Sequence, residues 1–195
     1  MLTSSDAVTG TKGEFESITA RIRTRAHARR AIIEAVIVAV LVVGGSLLAW
    51  GGGFATNMVH DQLADQKISF PAKGSPALDP KTYPGLQQYG GQAVDSGPKA
   101  KAYANEYIKV HLAGIAGGKT YSQVSEESRA NPDDAKLAGQ VQSLFRGETL
   151  RGLLLYAWGW SVVGMLATIV SWAAFAGAAV VLLALLYGLS RPQHS

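Results

Sequence analysis

The sequence predicts an all-α membrane protein: two transmembrane helices with a small, mainly helical extracytoplasmic domain between them. Three observations predict it. The apolar residues of this 195-residue chain concentrate in two blocks, 31–54 and 152–189. Neither block holds a lysine or arginine, and each exceeds the ~20 apolar residues that cross a bilayer core as helix. The stretch "RIRTRAHARR", with Arg21, Arg23, Arg25, Arg29 and Arg30, stands directly before the first block. Arginines so close to a span are retained on the cytoplasmic side, so the N-terminus is expected inside.

Residues 1–30 read as a basic cytoplasmic segment, largely disordered, with small polar residues over 1–17 that offer little to bury. A sharper reading of the arginines, as a patch for anionic lipid or nucleic acid, is not needed, because their position before a span accounts for them. The net charge of +4 is also low for a nucleic-acid binder. The first span is expected over 31–54. Glu34 lies four residues after Arg30, which puts the two on one helix face as an interfacial ion pair. Trp50 suits an outer aromatic belt. Gly44 and Gly45, then Gly51, Gly52 and Gly53, remove side-chain bulk and allow another helix to approach. The small residues Gly53 and Ala55 around Phe54 resemble a cleavage triplet. The apolar run nevertheless exceeds the ~7–15 residues of a cleaved signal sequence, so an uncleaved anchor is expected.

One crossing places 55–157 outside the cytoplasm. Met58, Val59, Leu63 and Ile68 continue a helical spacing outward, before an extended piece that ends at Pro71. The region 71–98 holds five prolines and five glycines, so 71–97 is expected to be loop. A helix is predicted over 98–116, capped by Asp95 or Ser96 and stopped at Gly117 and Gly118. Tyr103, Tyr107, Ile108, Leu112 and Ile115 give it one apolar face. Thr120 and Gln123 have capping-box spacing. "RANPDDAKL" reads as a helix start in which Asn131 caps, Pro132 takes the first helical position, and Asp133 and Asp134 meet the positive dipole end.

The second block could cross once or turn back as a hairpin. Its 38 residues would make about 57 Å of helix at ~1.5 Å each, against a hydrocarbon core ~30 Å thick. A hairpin would turn near "VSWAAF", which has no Pro, Gly, Asn or Asp, and would leave backbone unsatisfied in lipid. Trp158 and Trp160 suit the outer belt, with Tyr187, Arg191 and Pro192 at the inner end. One tilted span over 158–188 is therefore expected, with 150–157 as an apolar extension above it and 189–195 as a cytoplasmic tail.

Catalytic patterns do not emerge. The sequence has no cysteine, which excludes disulfides, thiolate nucleophiles and Cys-ligated metals. Of the histidines, His27 and His194 belong to opposite ends from His60 and His111. A site built from His60, Asp61 and His111 would lack short ligand spacing, so no metal or cofactor is expected. No G-x-S-x-G, Walker or G-x-G-x-x-G pattern occurs. Adjacent carboxylates such as Glu126 and Glu127 diverge on a helix. Arg146, Glu148 and Arg151 cluster above the apolar run, with Glu148 and Arg151 spaced to pair.

"YANEYIKVHLAGIAGGKTYSQVS" together with "SLFRGETLRGLLLYAWGW" resembles an uncharacterised group of actinobacterial two-span membrane proteins. The matching positions are Tyr103, Asn105, Tyr107, His111, 117–121 and 147–154, and the resemblance covers roughly 31–190. It implies two spans flanking an extracytoplasmic segment with a tyrosine-bearing helix. Such proteins sometimes carry an aromatic ring-opening dioxygenase label, which the residues here do not support, and the group implies no catalytic residue.

The expected function is that of a plasma-membrane structural, accessory or interaction subunit of the cell envelope, without enzyme activity. The alternative is a lipid- or ligand-binding sensor module in which Arg146 and Arg151 engage an anionic headgroup. Candidate contact residues are Tyr103, Tyr107, Lys119, Tyr121, Arg146, Glu148 and Arg151. Expected partners are the lipid bilayer and either a membrane protein or a second copy meeting the glycine-bearing helix faces.

Overall fold

A computed structural model describes residues 4–190, apart from the side chains of 4–17 and of Ala20, Arg23, Thr24 and His27. The protein is all-helical, with two long apolar helices flanking a small helical middle region. Helix α1 spans Ser4–Asp65, α2 Gly97–Ala102, α3 Lys109–Ala116, α4 Tyr121–Ala130 and α5 Ala135–Ser190. Two short 3₁₀ helices, Pro76–Leu78 and Pro84–Tyr89, lie between α1 and α2, and a π-helical turn, Tyr103–Ile108, joins α2 to α3. Arg191, Pro192 and His194, with the rest of the tail, fall outside the described residues, as does the side chain of His27.

α1 begins at Ser4, inside the stretch that composition assigns to disorder. Once the arginine-bearing turns are helical, adding residues at the end needs no new nucleus, and one hydrogen bond is gained for each residue fixed. α5 passes unbroken through 170–175, which removes the hairpin. Both long helices contain a window apolar and long enough to cross a bilayer. Only 6% of that window is buried in α1 and 11% in α5. A core helix of a water-soluble protein would be mostly covered.

The chain divides into two compact units, one formed by the described residues before Trp50 and after Thr168, the other by Trp50–Thr168. In the first, α1 and α5 pack through small residues. A Cβ on Gly45 would stand 3.0 Å from the Phe175 ring and 3.3 Å from Ala174 Cβ, while Gly177 faces Leu41. Arg30 Nε donates to Glu34 Oε1 at 2.7 Å, the expected pair.

In the second unit α1 and α5 meet again at Gly52 and Gly164. A Cβ on Gly52 would come 2.8 Å from the Gly164 carbonyl, and one on Gly164 would come 3.0 Å from the Gly52 carbonyl. The helix backbones therefore touch. Gly44, Gly51 and Gly53 have open space around them, so the chain's own second helix occupies the Gly45 and Gly52 positions and leaves the other three free.

The Pro/Gly-rich stretch is a closed loop with its own core. An antiparallel bridge joins Ser69 to Ala93, and Phe70 N donates to Gln92 O at 2.9 Å while Val94 N donates to Ile68 O at 2.8 Å. Leu78 and Leu86 inside it are fully buried. They join a core with Val59, Leu63, Phe70, Val94, Ile108 and Leu112.

Helix ends follow local chemistry. Gly117 takes a left-handed φ of 61°, and Gly118 N donates back to Ala113 O at 2.8 Å, the C-terminal stop its sequence predicts. Thr120 and Gln123 form a reciprocal capping box. One cap is corrected: Asp134, rather than Asn131, starts α5. Its Oδ1 accepts from Lys136 N at 2.8 Å and Leu137 N at 3.1 Å, while Asn131 closes α4 through Nδ2 to Glu127 O at 2.9 Å. Both residue types cap well, but the carboxylate also carries the charge that the positive end of a 56-residue helix favours.

Candidate functional site

The tyrosine-bearing helix is positioned by a spacing of four. Ala100, Ala104, Ile108, Leu112 and Ala116 are all buried. On a regular α-helix each step of four overshoots a full turn by about 40°, so five such positions would spiral off one face. The π-helical turn at Tyr103–Ile108 underwinds the chain in the middle and keeps them facing inward. Such turns recur at functional sites.

The same turn gathers aromatic rings. Tyr103 packs on Phe70 with ring centroids 5.1 Å apart and on Tyr107 at 5.0 Å. Tyr107 meets Tyr83 at 5.3 Å, and Phe70 stacks on Tyr89 at 5.2 Å. Burial, and secondarily Tyr107, pushes the Tyr103 phenol above its ordinary range; Tyr83 shifts the same way for the same reasons. Both hydroxyls thus stay protonated at neutral pH.

Opposite this shelf, Arg151 on α5 is held from two sides. Its Nη1 donates to Glu148 Oε2 at 3.0 Å and its Nη2 to Asn105 Oδ1 at 3.2 Å. Its Nε is buried without a partner among the described residues. The Glu148 pair is the expected one, and the second donor reaches the π turn. Two further contacts fasten the start of this helix to α5. Lys101 Nζ sits 4.4 Å from the Trp158 ring centroid, and Gly97 lies so close to Ser161 and Trp158 that a Cβ there has no room.

The other candidates form a separate group. Lys119 Nζ binds Glu127 at 2.7 and 2.8 Å on an exposed surface. Tyr121 is 5.8 Å from the Phe145 ring. Arg146 is exposed, and no ion-pair partner approaches it among the described residues. Tyr103 and Tyr107 therefore pack together, Glu148 and Arg151 pair, and Asn105 on the π turn links the second pair to the tyrosine-bearing segment, while Lys119, Tyr121 and Arg146 are joined to neither. Sequence reasoning passed over Phe70, Tyr83, Tyr89 and Asn105 as site residues. The repeat of four was the signal for the bend that recruits them.

His60 Nδ1 lies 2.9 Å from the Asp95 carbonyl. A carbonyl only accepts, so this nitrogen carries the proton. His111 is exposed, and among the described residues no three His, Asp or Glu side chains converge as a metal-ligand set.

Two expected results follow from these contacts. Arg151→Ala should cost about 1–3 kcal/mol, because it strips partners from Asn105 and Glu148 at a partly buried site. Arg146→Ala should stay within about 0.5 kcal/mol. Thermal unfolding in mild detergent, followed by circular dichroism, checks both. The second result concerns Asp95, whose carboxyl lies below its ordinary value of 3.8, chiefly through the hydrogen bond from Lys99. A depressed folded value means stability that is present above the unfolded value and is lost as pH falls through the folded one. The unfolding midpoint should therefore drop on acidification below about pH 4, and drop less in Asp95→Asn.

Compared with protein-family models, with curated proteins and with solved structures, the chain matches none.

Proposed function

We propose that the chain is an integral membrane protein of the cell envelope, with both ends in the cytoplasm and its middle region outside, acting as a structural or accessory subunit. One observation carries this reading: the most apolar windows of α1 and α5 are uncovered by the rest of the chain. Val36, Val40, Val43 and Leu47 on α1, and Val163, Leu166, Leu183 and Leu189 on α5, are each more than half exposed. Contiguous apolar surface on that scale is far larger than a soluble monomer carries, and lipid is the solvent that suits it. The arginines before α1 support the orientation.

The outer region then serves as a helical cap. Its tyrosine shelf is braced by Arg151 and Asn105, and this suits a rigid contact surface better than a reactive site. The exposed features left for a partner are Lys119 with its turn, Tyr121 and Arg146. The motif residues that carry the resemblance to the actinobacterial two-span group fall on this cap and on the part of α5 that precedes its apolar run, in keeping with that role. A headgroup site at Arg151 is disfavoured, because the guanidinium is already engaged.

Alkaline carbonate washing tests the membrane reading: the protein should remain with the membrane pellet, and release into the supernatant would overturn it. The path is tested on intact cells with a membrane-impermeant amine reagent. Lys109 should be modified and tags at both ends should be protected.

A further inference from the structure

Within the outer unit, α1 and α5 flank a groove of about 300 Å³ beyond Gly52 and Gly164, at the low end of the ~300–1,000 Å³ of small-molecule sites. Met58 and Leu63 line one wall, and Leu153, Tyr156 and Trp160 the other. None of its twelve lining residues is charged. Leu153 and Tyr156 are 62% and 66% exposed, so the protein itself does not fill it.

Two features indicate the occupant. Leu153, Tyr156 and Trp160 continue at helical spacing into Val163 and Leu166, both exposed. The groove wall and the face proposed to meet lipid are thus one uninterrupted apolar stripe. At the far end of the groove, Gln62 in the last turn of α1 and Gln66 just past its end are both exposed, with carboxamides that bond to no other described residue. An apolar track ending at neutral hydrogen-bonding groups matches a hydrocarbon chain with its ester or amide linkage.

We infer that this groove seats the upper part of one acyl chain of an outer-leaflet lipid drawn partly out of the bilayer. The linkage lies at Gln62 and Gln66, and the rest of the chain descends along Trp160 and Val163. This rests on the membrane reading above. The lining is neutral, so the site selects the chain rather than the headgroup charge.

The test uses the full chain in nanodiscs containing a phospholipid with a diazirine at a known acyl carbon, and maps cross-links by peptide mass spectrometry. A diazirine near the ester should label Met58, Leu153 and Tyr156, and one near the chain end Val163 and Leu166. Ala157→Trp fills the groove and should lower labelling at Leu153 and Tyr156 about tenfold, with Val163 labelling unchanged. Gln62→Leu with Gln66→Leu, at exposed positions that spare folding, should shift the near-ester labelling down the stripe toward Trp160. Unchanged groove labelling in both variants overturns the proposal. So does absent groove labelling while Val163 is labelled, or cross-linking of Tyr156 to a second copy. Loss of labelling at Val163 as well would overturn the membrane reading itself.

Discussion

Gly52→Leu is expected to separate α1 from α5 where their backbones touch. The first added carbon alone would lie 2.6 Å from Thr168 Oγ1 and 2.8 Å from the Gly164 carbonyl. The carbonyl belongs to a helix and cannot turn away, so the helices must part. Ala55 and Thr56 then lose their close approach to Gly164. Overpacking commonly costs 1–3 kcal/mol, and the loss of surrounding contacts takes the expected total to about 3 kcal/mol or more. Gly53→Leu is the control, since nothing lies within 4 Å of a Cβ there. Thermal unfolding in mild detergent should show Gly52→Leu well below the unsubstituted protein and Gly53→Leu close to it. Equal midpoints for the two variants would mean that the glycine contact does not hold the helices together.

Leu86→Ala is expected to loosen the outer cap by about 2–5 kcal/mol, the usual range for emptying a fully buried leucine site. Leu86 has no exposed surface and shares its core with Leu78, Phe70 and Ile108. The loop around it has no regular sheet or long helix of its own and is closed at its base by the bridge between Ser69 and Ala93 and the bonds flanking it, so its interior rests on these leucines. Protease accessibility should rise within 71–91, and the near-ultraviolet signal of Tyr83, Tyr89 and Tyr103 should weaken. A loop as resistant to protease as the original would show that its leucines do not anchor it.

This loop also marks where reading residues in order stops being informative. Its prolines and glycines announce turns, and both 3₁₀ helices begin at or beside a proline. That Leu78 and Leu86 are core depends on how the ends meet at Ser69 and Ala93, which no local pattern encodes. The helix ends were far more legible. The Thr120 capping box, the stop at Gly117 and the pairs Arg30 with Glu34 and Glu148 with Arg151 all join residues within five positions of one another. Asn131 and Asp134 show the limit of that approach, because two good caps three residues apart serve two different helices. The candidate site was half legible: Tyr103 and Tyr107 stand out, but their partners Phe70 and Tyr83 come from the loop.

The two apolar helices and the polar region between them were determined by the sequence alone, because hydrophobicity belongs to each residue and its near neighbours. The tertiary structure alone decided three things. It showed which glycines face the second helix and which face open space. It turned Arg151 toward Asn105, 46 positions away, instead of toward solvent. It opened the groove between Met58 and Trp160. Each is a meeting of distant segments, and such meetings are set by the packing of the whole unit, where a shift of one helical register changes every partner.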